Sequence, residues 1–137
     1  MSNIDLFDEY TAAIFAELYE HFPLRRSIAS EAIIGLALDP ADPPPRVPHE
    51  LRVYEATVEW LAGSGFIALS GNGHQGDATL TLRGLEVMKV VPASVRDHNS
   101  LGDSLVSAVR SGGAAAGKEL VAFGLTQAFR LMGQGVL

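Results

Sequence analysis

The chain has 137 residues, 47% of them apolar and 19% charged, enough for one domain with a core and too few for two comfortable ones. It contains no cysteine, which excludes disulfide scaffolds, thiolate zinc sites, iron–sulfur clusters and cysteine nucleophiles. Sixteen acids against ten bases give a net charge of −6, which argues against a generic nucleic-acid coat or an anionic membrane surface as the default partner.

Met1 opens onto Ser2, Asn3 and Asp5 with no basic stretch and no apolar run behind it, so no signal peptide is expected and the cytoplasm is the expected location. Residues 1–95 carry a net charge of −7, whereas residues 96–137 carry +1 and seven of the fourteen glycines. That contrast divides the chain into a domain at 1–92, a linker at 93–99 and a C-terminal segment at 100–137.

Ser2 and Asp5 form a capping pair, and Phe7, Tyr10, Ile14 and Leu18 recur at helical spacing, which predicts a first helix from Ile4 to His21. Pro23 stops it. Ser27 or Ser30 then caps a short second helix through Ile33, Ile34 and Leu36. Four prolines between Pro40 and Pro45 make residues 39–47 an extended, stiff loop. Pro48 suits a first helical turn, and Leu51, Tyr54, Val58 and Leu61 form one stripe, so a third helix is predicted from Pro48 to Ala62. Gly63 and Gly65 supply left-handed cap geometry. Phe66 to Ser70 and Ala78 to Leu82 then read as two strands around a glycine-rich tip. Thr81 caps a fourth helix through Leu85, Met88 and Val91, closed by Pro92.

The order helix, helix, helix, hairpin, helix, with Gly65-Phe66-Ile67 entering the hairpin and Leu80-Thr81-Leu82-Arg83-Gly84 leaving it, resembles winged-helix domains of the MarR-like and PadR-like kind over residues 4–91. Each motif has a packing reason: Gly65 for the turn and Gly84 for close approach to the hairpin. The expected fold class is therefore mainly α, a winged-helix domain of three helices, a two-stranded wing and a fourth helix, followed by a C-terminal helical segment. The resemblance implies that the helix at 48–62 enters the major groove and that the wing touches the flanking backbone, with affinity resting on bases in both. The bases available are Arg25, Arg26, Arg46, Arg52 and Arg83. Against that pattern, the helix carries Glu50, Glu55 and Glu59 beside Arg52, and the wing tip offers His74 and Asp77. Two functions stand side by side: a non-enzymatic adaptor that meets a protein partner, and a DNA-binding transcription regulator.

Arg25, Arg26 and Arg46 either contact phosphate or solvate a loop while pairing with Glu20 or Glu31. Glu17 and His21, four residues apart, have a spacing that metal ligands use, but no third ligand matches it and a helix-end histidine facing the dipole is expected. Gly71-x-Gly73-x-x-Gly76 matches the dinucleotide fingerprint in form only, because a strand follows where a helix is required. His21, His49, His74 and His98 are scattered, so no catalytic residue, metal or cofactor is expected. Trp60 and Phe66 are expected in the core, and Pro43 to Pro45 is expected to be a rigid connector.

From Leu101 to Met132 the apolar residues are helically spaced but interrupted at Ser111 to Gly117. Gly112 and Gly113 imply either a helix break or a close backbone approach. Ala108, Gly112 and Ala116 at spacing four, beside the Gly113 and Gly117 pair, form a small-residue face. Lys118, Glu119 and Arg130 interrupt the segment, so no transmembrane span is expected. The expected outcome is self-association as a homodimer through Ala108, Gly112, Ala116, Leu120, Phe123 and Phe129, with docking onto the first domain as the alternative.

Overall fold

The fold is described from a computed structural model, which describes residues 2–29, 48–71, 76–90 and 100–135. The expected second helix beyond Ala29, the proline loop, the wing tip at 72–75 and the linker at 93–99 lie outside the described residues. What is described is mainly helical, with a small three-stranded antiparallel sheet.

Helix α1 (Asn3–His21) starts at a complete capping box. The Ser2 hydroxyl accepts from the Asp5 amide at 3.2 Å, and the Ser2 amide donates back to Asp5 Oδ2 at 3.1 Å, which satisfies backbone donors left open by the helix end. From Glu9 to Ala16 every residue of α1 is buried. The small side chains of Ala12, Ala13 and Ala16 let neighbours approach on several sides, so α1 is the axis of the fold rather than a surface helix with one apolar stripe.

Strand β1 (Arg26–Ser27) is an element that the sequence reading lacked, and it pairs with β3 (Asp77–Leu80), Arg26 opposite Ala78. Strand β2 (Ile67–Ser70) pairs with the other edge of β3, Ile67 opposite Leu80, giving the order β1-β3-β2. Two residues carry no readable period, so only the pairing reveals β1. The Ser27 hydroxyl accepts from the Ala29 amide at 3.3 Å, and the helix that Ser27 or Ser30 is expected to cap lies outside the described residues.

Helix α2 (Pro48–Gly63) buries Tyr54, Val58 and Leu61 against α1, with the Tyr10 and Tyr54 rings edge to face at 5.4 Å. Gly63 lies in its last turn, and the left-handed turn belongs to Gly65 at φ +84, correcting the shared role expected of the two. Helix α3 (Leu82–Lys89) is capped by Thr81, whose hydroxyl accepts from the Gly84 amide at 3.1 Å. Because the cap consumes Thr81, β3 ends at Leu80 instead of running on to Leu82. A Cβ on Gly84 would collide with the Phe66 carbonyl oxygen and lie 3.1 Å from Leu80 Cδ2, so the close approach of helix and hairpin holds as expected.

Helix α4 (Leu101–Gly112) ends at Gly113, φ +78, a 3-10 turn spans Ala114–Gly117, and α5 covers Lys118–Gly135. Leu101, Leu105 and Val121 belong to the same buried cluster as Leu6, Ile14 and Tyr54. The C-terminal helices therefore complete the core around α1, tied by the Leu101 amide donating to Val90 O at 2.6 Å and by Tyr19 Oη within 3.2 Å of Ser100 Oγ.

Candidate functional site

The stripe that buries Tyr54, Val58 and Leu61 fixes what α2 shows to solvent. At 100° per residue, positions 49, 52, 56, 59, 60 and 63 fall on the opposite face, and all six are exposed. They present His49, Arg52, Ala56, Glu59 and Trp60, with Glu50 and Glu55 half-buried at the flanks. His49 Nε2 lies 2.8 Å from Asn3 Oδ1, which sets the first turns of α1 beside this face. Between them runs a shallow groove of about 400 Å³ lined by Asn3, His49, Arg52, Val53, Ala56 and Glu59.

At one end of that face Trp60 is 49% exposed, stacked on Phe66 at 6.1 Å and edge-on to Phe7 at 5.4 Å. Phe66 is buried as expected, but Trp60 is not core. The reason is helical phase: at 100° per residue position 60 falls well away from the buried stripe of Tyr54, Val58 and Leu61.

The predicted arginines occupy separate elements. Arg52 is exposed on α2, and Arg25 is exposed in the turn after α1. Arg26 Nε donates to Glu17 Oε1 at 3.0 Å, so its acidic partner is Glu17, whereas Glu20 pairs with Arg110 of α4. Arg83 Nη1 donates to the Ser64 carbonyl at 3.0 Å, bracing the turn between α2 and β2. Arg46 lies outside the described residues. Two of these bases are thus occupied in holding the fold.

No family model, curated protein or solved structure matches the chain. His21 Nδ1 lies 3.0 Å from the Glu17 carbonyl oxygen and 3.2 Å from Glu17 Oε1, a helix-end contact. Among the described residues no three histidine, aspartate or glutamate side chains gather as metal ligands would. Near the start of α1, hydrogen bonds from Ser2 hold the Asp5 carboxyl below the ordinary aspartate value, while burial pushes that of Asp8 up. Glu9 is 5% exposed and meets Lys118 Nζ of α5 at 3.3 Å.

The small-residue face is broken by the turn at Gly113. A Cβ on Gly112 would lie 2.8 Å from Ala116 Cβ, so these two residues face each other across the turn and do not continue one helical stripe with Ala108. Gly117 instead lets Leu105 and Ala12 close in, a Cβ there falling 2.7 Å and 3.0 Å from their side chains. Leu120 and Phe123 are half-buried against the shared core, and the Phe129 side chain lies outside the described residues. Among the described residues no helix is long and apolar enough to cross a membrane.

Proposed function

We propose that this chain is a non-enzymatic protein-interaction module on a winged-helix-like frame. The order helix, short strand, helix, hairpin and helix, with β1 and β2 flanking β3, supports the frame. The observation that carries the function is the exposed face of α2, the helix that such a frame offers to a partner. It combines a half-exposed tryptophan with Glu59 and a single arginine.

A groove-reading helix draws most of its affinity from bases that displace counterions from phosphate, and each carboxylate facing the duplex opposes that gain. An aromatic side chain with a polar tip and a rim of charge is instead the composition of protein–protein contact surfaces. A transcription regulator using Arg25, Arg26, Arg46, Arg52 and Arg83 is the competing reading, and one experiment separates the two. In mobility-shift and heparin-retention assays at about 50 mM salt, the module neither shifts random-sequence duplex DNA nor is retained. A shift at micromolar protein that weakens steeply with added salt overturns the proposal in favour of the regulator.

A further inference from the structure

We infer that the outer face of α2 around Trp60 and Glu59, together with the first turns of α1 that carry Ile4 and Phe7, is a docking surface for a basic segment of a partner protein. This rests on the interaction-module reading. The partner's lysine or arginine lies against Trp60 and Glu59, and its apolar side chains lie on Ile4 and Phe7.

The apolar part is defined by three side chains. Ile4 is 68% exposed, one turn before Phe7 on α1, and Phe7 meets the half-exposed ring of Trp60. Phe66, itself buried, stacks on the same ring, so the indole is held in place by two aromatic neighbours and presents a fixed surface. A preorganised aromatic of this kind costs little conformational entropy on binding.

The charge around it selects the occupant. Glu59, exposed and next in sequence to Trp60, enters no ion pair among the described residues. Glu59 and Glu55 also line the adjoining groove. Arg52 and His49 stand at the far end of the groove. A cation placed beside an indole and a carboxylate gains from both, the ring quadrupole and the anion acting on one guanidinium or ammonium. A second copy of this chain suits the surface less well, because each copy carries −6, and a polyphosphate suits it least.

The test uses the full chain and two short fluorescein-labelled peptides. One alternates lysine with leucine and phenylalanine, and the other replaces every lysine with glutamate. By fluorescence anisotropy the basic peptide binds and the acidic one does not. Trp60→Ala and Glu59→Lys each weaken binding at least about tenfold, and Glu59→Gln weakens it less. Circular dichroism checks that Trp60→Ala is folded; if it is not, the exposed Glu59→Lys change carries the test. Equal binding of both peptides, no binding of either, or variants that bind as the wild type overturns the docking site. So does concentration-dependent self-association that Trp60→Ala abolishes, which would make a second copy the occupant. Loss of the peptide result alone leaves the interaction-module reading intact with another partner, whereas a positive DNA shift removes that reading itself.

Discussion

Thr81 joins two backbones through one hydroxyl: it accepts from the Gly84 amide at 3.1 Å and donates to the Gly65 carbonyl at 2.5 Å. Replacement by valine keeps the shape and removes both bonds, so Thr81→Val lowers stability by about 1–2 kcal/mol in urea unfolding while serine restores most of it. Gly84→Ala is more severe, since its methyl meets the Phe66 carbonyl backbone and helix and hairpin must part; a loss of about 2–3 kcal/mol is expected. The carboxyls at the start of α1 respond to pH in opposite senses. Asp5 is lowered in the folded state, so its contribution is present above the ordinary aspartate value and is lost as pH falls through the folded one. Asp8 is raised, so its burial penalty grows as pH climbs from the ordinary value through the folded one. Asp8→Asn therefore stabilises at neutral pH and is without effect in acid, which paired urea titrations at the two pH values measure. The caps at Ser2 and Thr81 were legible because their chemistry is local, three residues from donor to acceptor. The acid partner of Arg26 was not, because it is set by where β1 lies against α1.

At the scale of elements, α1 does the most to hold the molecule together, with α2 on one side and α4, the 3-10 turn and α5 on another. Its helical span was legible from the Phe7, Tyr10, Ile14 and Leu18 spacing, but its second buried side was not. That side includes Ala12, which together with Leu105 closes on Gly117, far along the chain. Lys118 spans the same junction, reaching Glu9 at 3.3 Å and Asp5 at 3.9 Å. Lys118→Ala leaves a buried carboxylate without its cation and costs about 1–3 kcal/mol, whereas Glu9→Gln with Lys118→Met recovers most of the loss in a double-mutant cycle. Truncation after Asn99 removes Leu101, Leu105 and Val121 from the core, and the expected product is an unfolded or aggregating chain rather than a soluble domain. Self-association through the C-terminal helices is therefore tested on the intact protein: light scattering across the micromolar range reads a dimer if the exposed parts of α4 and α5 pair, and a monomer if they do not.

For the whole molecule, the β2–β3 hairpin, the helix at 48–63 and the Thr81-Gly84 phrase follow from local signals, while the character of the presented surface depends on helical phase. Positions 52, 56, 59, 60 and 63 share the face opposite the Tyr54, Val58 and Leu61 stripe, so the same periodicity that buries the stripe puts Trp60 in solvent beside Glu59. Trp60 is the sole tryptophan of the chain, so the surface in question carries its own reporter. The most direct test is a pair of fluorescence titrations on the intact protein, one with a lysine-rich apolar peptide and one with random duplex DNA, in the same low-salt buffer. On the docking reading, the peptide shifts or quenches Trp60 emission in a saturable manner and DNA leaves it unchanged. Saturable quenching by DNA, with no response to the peptide, would contradict that reading.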